Sequence, residues 1–498
     1  MPSGGSSVKE ADMKNFMKIR RSGATGLSGF LRPLQLALAV IFISIVAAGA
    51  EAQTAFVSEN APTFTTTTLS NGIPFYMKVQ NANRVFHVSL VLNGGSMVTP
   101  SERAGWEKIA LSTMARSSQN YPYEKAASLL DRTSSNIAAA VQFEYSTFSL
   151  TTLDKYRDEL LDLWGDMLIA PSFSQDDFDK SKEDASLTLQ AMDQDPWSTT
   201  QKVINKAYFD GHPYGVNPEG TEQSIGPMTA GDARQWYRDH FSADRIFVVA
   251  VGDFDPAELE GKLEALLGKI PNLRLGAVPE PVAFPMGPSG SLITQAHDQS
   301  QGTIYLRGDF AAPAPGKDDY FATALAARIF SDLLFSVVRD KYGAVYTPSA
   351  MIRGYSANYG SVMMYKTNAP DKIKGYIDEA ARLMASGRVV SVDPTKTESD
   401  GYMPIAEAVD TYKQLYMNDY FEAVRNNAGI ASLMIRSVRL TGDPADWLKD
   451  QERIEMLDSP AVRNAFDTYF MNGAFLWVAV GDQTLLDKID PRAFDSIH

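Results

Sequence analysis

The chain has 498 residues, 44% of them hydrophobic, and a formal charge of −14; it is too long for one core and too acidic to suit nucleic acid or an anionic membrane. With no cysteine, it has no disulfide, thiolate metal site, cysteine nucleophile or lipoprotein attachment point. Two domains or more are expected.

Residues 1–52 read as a signal peptide. Lys18, Arg20, Arg21 and Arg32 form a basic region, Leu34 to Ala48 an apolar stretch, and Ala50-Glu51-Ala52 a small-x-small cleavage site before Gln53. A retained membrane anchor is the alternative, since the apolar stretch is close to the lower limit for a span. No other segment reads as apolar enough to cross a membrane. A bacterial cell envelope, with the mature chain soluble in the periplasm, fits this pattern.

From residue 53 the chain opens on a Thr-rich lead, and Asn71-Gly72 predicts a hairpin turn. Val85 to Leu92 reads as a strand, Asn93-Gly-Gly-Ser96 breaks it, and Gly105 to Met114 has helical periodicity. Helix-like stretches run from Tyr123 to Leu130, Leu153 to Ile169 and Asp176 to Met192, with a strand-like run from Ile137 to Thr152. A buried strand then ends in Val249-Ala-Val-Gly-Asp253, before a helix at Pro256 to Leu267. The same five residues recur at Val478 to Asp482, and the elements before them recur in the same order: a strand at Gly302 to Arg307, a long helix from Phe321 to Arg339, strands from Tyr346 to Thr367 and a helix from Lys372 to Ser386. A duplicated unit follows, with domains over 53–269 and 289–498 and a Pro-rich linker over 270–288. The fold class is α+β: two homologous domains, each a largely antiparallel sheet with helices packed on one face.

The long second-half helix ends at Arg339-Asp-Lys-Tyr-Gly343-Ala-Val-Tyr346, where Gly343 suits a left-handed cap. On local evidence alone Arg339 complements the helix dipole and Tyr346 is a half-buried strand residue. Elsewhere complete sites are missing. The five histidines include no pair three or four apart, so no His-x-x-x-His zinc helix exists, and His212-Pro-Tyr-Gly215 reads as a turn. Gly308 to Lys317 has the wrong spacing for a phosphate loop, and no Gly-x-Ser-x-Gly elbow occurs. Acid pairs such as Glu183-Asp184 and Asp193 with Asp195 read as solvated helix faces.

The order of several short motifs resembles the pitrilysin, or M16, family of zinc peptidases over nearly the whole mature chain. It is carried by Leu69-Ser-Asn-Gly72, Leu92-Asn-Gly-Gly-Ser96, Glu102-Arg-Ala-Gly105, Asp195-Pro196, His212-Pro-Tyr-Gly215, Gly220-Thr-Glu-Gln-Ser-Ile225 and the repeated Val-Ala-Val-Gly-Asp. The resemblance implies the M16/LuxS-like fold, and in active members a helix bearing His-x-x-Glu-His with a distal glutamate ligand. Here Lys108, Leu111 and Ser112 stand in those three positions, and Leu187-Thr-Leu-Gln190 has no glutamate. A cation, an isobutyl group and a hydroxyl neither hold zinc nor act as base, and Glu107 is one position out of phase with the motif, about 100° around the helix from Lys108. This first-half zinc site is therefore degenerate, and no metal or other cofactor is expected in this chain.

The family also uses an arginine and, seven residues later, a tyrosine to bind substrate backbone and stabilise the oxyanion, and Arg339 and Tyr346 match that spacing. In two-subunit members one chain carries zinc and the other the Arg/Tyr pair. The resemblance thus implies the non-zinc subunit of a heterodimeric periplasmic peptidase, inactive alone, paired with a homologous zinc-bearing subunit around a peptide substrate. A non-enzymatic scaffold or a peptide-binding protein is the alternative.

Overall fold

The computed structural model describes residues 64–281, 283 and 291–494. The expected signal segment, 1–52, lies outside the described residues, as do 282 and 284–288 of the expected linker. Strands β1 (Phe64–Thr68) and β2 (Pro74–Val79) pair antiparallel across the Asn71-Gly72 turn, where Gly72 takes φ +94 and its N–H donates to the Leu69 carbonyl at 2.8 Å. Strand β3 (Val85–Asn93) and helices α1 (Trp106–Met114) and α2 (Tyr123–Thr133) follow.

The run from Ile137 to Thr152 is two strands rather than one: β4 (Asn136–Val141) and β5 (Tyr145–Leu153) form a hairpin. Both alternate at period two, and the turn Gln142-Phe-Glu144 contains neither glycine nor proline, so the pattern runs through it unmarked. Helices α3 (Arg157–Ile169), α4 (Gln175–Gln194), α5 (Pro196–Tyr208) and α6 (Ala230–His240) lead to β6 (Ile246–Gly252) and α7 (Pro256–Leu267). The Asp195-Pro196 pair starts α5: the Asp195 carboxylate accepts from the Ser198 N–H at 2.9 Å and Pro196 occupies the first turn, where its missing donor costs nothing.

The second half repeats this order with β7 (Ser291–Ala296), β8 (Ile304–Ala311), α8 (Tyr320–Leu334), β9 (Val345–Ile352), β10 (Tyr359–Thr367) and α9 (Ile373–Ala385). A short ribbon, β11 (Arg388–Val390) with β12 (Tyr402–Pro404), precedes α10 (Ile405–Ala423), α11 (Asn427–Thr441), α12 (Ser459–Phe466) and β13 (Phe475–Gly481). The strand orders are β1-β2-β6-β3-β5-β4 and β7-β13-β8-β10-β9. In the first sheet β6 runs parallel to β2 and antiparallel to β3; in the second β13 runs parallel to β7 and antiparallel to β8. The repeated Val-Ala-Val-Gly-Asp therefore marks the same central strand in both halves.

Every residue of β6 and β13 is buried, which requires cover on both faces of each sheet. On one face, Ile246, Val248 and Ala250 join the core under α1, α3 and α7, while Phe475, Trp477 and Ala479 do so under α8 and α12. The other face is covered by exchange. Helix α5 of the first half packs across β13 and β8, with Ile204 against Leu476, Val478 and Val480; α11 of the second half packs across β3 and β6, and its Asn427 side chain donates to the Val85 carbonyl at 2.5 Å. Each fully buried aliphatic side chain in these faces contributes about 1.5–3 kcal/mol. One helix given by each half to the other thus binds the two sheets together.

By length and composition Tyr320–Lys341 passes for a membrane span, contrary to the reading that only the N-terminal stretch is apolar enough. Yet 67% of its most apolar window is buried inside the fold, so its apolarity is that of a core helix.

Candidate functional site

Helix α1 begins at Gly105, whose φ of +81 suits glycine alone at low strain. A Cβ there would lie 2.8 Å from the Glu219 carbonyl oxygen and from Gly220 Cα, so this glycine lets the 217–220 loop press against the helix start. That contact brings the Glu219 carboxylate onto the Lys108 ammonium, a half-buried ion pair. Leu111 is 2% exposed and packs in the first-half core, and Ser112 follows it on the same helix. At the distal stretch Leu187 is exposed and Leu189 buried. The donor set does not fit zinc: an already paired ammonium, an isobutyl group in the core and a hydroxyl supply no ligand triad. Among the described residues no group of three His, Asp or Glu side chains converges as a metal site.

Glu107, one turn before Leu111, points into the protein, where it is 5% exposed and accepts a hydrogen bond from the Ser146 hydroxyl on β5. Burial pushes its carboxyl up to about 7, against the smaller opposing effect of that bond. Leu189 and Glu219 also line a cavity of about 860 Å3 that runs past His212 to Lys202 and Asn205 on α5.

In the second half α8 does not end as an α-helix. Phe335–Lys341 winds as a π-helix, with the Tyr342 N–H donating to the Val337 carbonyl at 3.2 Å, and Gly343 then takes the left-handed φ of +61 that the sequence suggests. Val337 and Val338 are buried and anchor this turn. On its outer side the Arg339 guanidinium lies 4.8 Å from the centre of the Tyr346 ring and 4.3 Å from that of Phe335. Tyr346, on edge strand β9, is 72% exposed rather than half-buried. Among the described residues no carboxylate pairs with Arg339 and no polar group bonds the Tyr346 hydroxyl. The neighbouring Lys341 differs: its ammonium is 2.6 Å from Glu379, which also accepts from the Tyr342 hydroxyl at 2.8 Å.

The fold thus brings Arg339 and Tyr346 into contact and sets Lys108, Leu111 and Ser112 on a helix of the other half. Sequence reasoning missed Glu219 and Phe335. A signal for Phe335 was present, since it precedes Arg339 by four residues on a helix. The histidines are structural. Buried His87 bonds Thr151 at 2.8 Å and Ser89 at 2.9 Å, and burial lowers it to about 4; His212 and His297 cap turns, His240 stacks on Trp236, and His498 lies outside the described residues. Glu183, Asp184 and Asp193 are exposed, with Lys180 at 2.9 Å from Glu183 and Lys202 at 2.8 Å from Asp193, whereas Asp195 is half-buried as the cap of α5 rather than on a solvated face.

A duplicated α+β unit of this topology, with a zinc-helix position in the first half, defines the class of M16-type peptidase folds. The family model described as Insulinase (Peptidase family M16) matches residues 76–222, and the one described as Peptidase M16 inactive domain matches residues 227–386. The chain belongs to the M16 peptidase family. It is similar to the uncharacterized zinc protease YmxG of Bacillus subtilis (20% identical over 186 residues, 37% of this chain and 46% of that protein). It is also similar to the non-peptidase homolog YmxG of Helicobacter pylori (22% over 231 residues, 46% and 52%). The chain spans about half the length of the curated relatives it matches. Among solved structures, the peptidase M16 inactive domain from Pseudomonas fluorescens shares the fold with a TM-score of 0.72 at 16% identity, over 84% of this chain and 98% of that one.

Proposed function

We propose that this chain is the non-zinc subunit of a heterodimeric periplasmic M16 metallopeptidase, forming half of the peptide chamber and supplying Arg339 and Tyr346 to a homologous zinc-bearing partner. The observation that carries the reading is the Arg339–Tyr346 contact of 4.8 Å, at a site where neither group is consumed by another polar partner among the described residues. It stands against a zinc helix whose ligand positions hold Lys108, Leu111 and Ser112.

The division of labour follows from the side chains. Arg339 offers planar N–H donors to peptide carbonyl oxygens, and the Tyr346 hydroxyl donates to the oxygen on which negative charge develops as the peptide carbon becomes tetrahedral. Neither group can activate water, so the chain alone is inactive. Zinc, held by the partner, would supply the Lewis acidity that this chain lacks. Residues 1–52, read as an export signal, put the mature protein in the periplasm.

The second reading is a non-enzymatic scaffold or peptide-binding protein, favoured by the similarity to a relative named a non-peptidase homolog. One experiment separates the two. The purified chain is mixed with an M16 subunit bearing His-x-x-Glu-His, and peptide hydrolysis is compared for wild type, Arg339→Ala and Tyr346→Phe. Activity that appears only in the mixture and falls in both variants supports the peptidase. A mixture that cleaves nothing, or variants that match wild type, leave the scaffold.

A further inference from the structure

Among the described residues Arg339 meets two rings and no acid. The Phe335 ring lies 4.3 Å from its guanidinium carbon and the Tyr346 ring 4.8 Å. A ring attracts the guanidinium through its charge and supplies no oxygen acceptor to its N–H donors. A carboxylate partner would hold Arg339 as well but would occupy those donors, as Glu379 occupies the ammonium of Lys341. Phe335 opens the π-helix, is 38% exposed, and stands just before the buried Val337 and Val338, which give it a rigid base.

We propose that Phe335 is a positioning residue: its ring holds the Arg339 guanidinium beside Tyr346 while leaving the guanidinium donors free for peptide carbonyl groups. The inference rests on the proposed role of Arg339 and Tyr346 for its consequence in hydrolysis, but not for the placement itself. An aliphatic side chain at 335 keeps the apolar surface and loses the ring electrostatics that attract the cation. The guanidinium then turns toward solvent and leaves the Tyr346 ring.

The test uses Phe335→Leu and Phe335→Tyr in the full chain. With 15N-labelled arginine, the Arg339 Nε–H resonance, identified by its loss in Arg339→Ala, is expected to show a nuclear Overhauser effect to the Tyr346 ring protons, a contact that does not involve the Phe335 ring itself. That effect is expected to be lost in Phe335→Leu and kept in Phe335→Tyr. In the mixture with a zinc-bearing subunit, Phe335→Leu is expected to lower kcat/KM about two- to five-fold, the size of an exposed cation–π contact. Phe335→Tyr restores it, and in an Arg339→Ala background Phe335→Leu has no further effect. An Arg339–Tyr346 Overhauser effect that persists unchanged in Phe335→Leu overturns the proposal, as does an equal loss of rate with and without Arg339. If the wild-type mixture hydrolyses nothing, the peptidase reading fails, and the Overhauser effect alone still decides whether Phe335 positions Arg339.

Discussion

Arg439 of α11 donates to the carboxylate of Glu144, at the tip of the β4–β5 hairpin, at 2.6 Å; the Glu144 side chain is 1% exposed. The same carboxylate accepts from the Ser356 N–H at 2.7 Å and from the Tyr214 hydroxyl, so one buried acid ties together an α11 arginine, a second-half loop and the His212–Gly215 turn. Phe143 beside it stacks on Tyr214 with ring centres 4.8 Å apart. Glu144→Ala would strand a buried guanidinium and is expected to cost about 3–5 kcal/mol, read as a lower midpoint in urea unfolding. An unchanged midpoint would mean that this pair does not hold the halves together.

Arg339→Ala and Tyr346→Phe are each expected to lower hydrolysis by the reconstituted mixture roughly 10²-fold, the cost of losing one preorganised hydrogen-bond donor to the reacting peptide. The double variant should lose less than the product of the two, because the side chains touch and act on the same bound peptide. Thermal unfolding of the isolated chain should barely change, since both side chains sit on the outer side of the turn.

Stability should fall with rising pH on account of Glu107. Its folded carboxyl, held near 7 by burial, binds its proton more tightly than the unfolded one, whose ordinary value is 4.5. The contribution is complete below the unfolded value and is lost as pH rises through the folded one, so the window runs from about 4.5 to 7. Glu107→Gln keeps an acceptor for Ser146 and removes the titration. It is expected to stabilise the chain at pH 8 by on the order of 3 kcal/mol and to flatten the midpoint between pH 5 and 8, measured by urea titration at each pH.

A chelator tests the division of labour proposed for the mixture. It should abolish peptide hydrolysis by the mixture yet leave the melting temperature of the isolated chain where it was, because Lys108, Leu111 and Ser112 give folding nothing to gain from zinc. Elemental analysis of the chain after dialysis against zinc should find far less than one ion per molecule. Stoichiometric zinc would overturn the ligand argument.

Much of this was legible in one dimension. Gly72 and Gly343 were readable as turn and cap because few other residues adopt their backbone angles cheaply, and the repeated Val-Ala-Val-Gly-Asp exposed the duplication because a strand buried on both faces needs an unbroken apolar run. The β4–β5 turn was not legible, since Gln142-Phe-Glu144 carries no turn residue. The π-turn at Phe335–Lys341 was hidden too, because the apolar spacing reads as a continuing helix.

Sequence alone determined that the zinc positions hold Lys108, Leu111 and Ser112, because ligand chemistry is a property of side-chain type and spacing within one helix. It also carried the seven-residue spacing of Arg339 and Tyr346. Only the tertiary structure decided that these two touch, that Phe335 flanks them, that Glu219 occupies Lys108, and that α5 and α11 change places between the sheets. Those are contacts between distant segments or across a turn of unusual pitch, set by which surfaces must leave water together, and no local pattern encodes them.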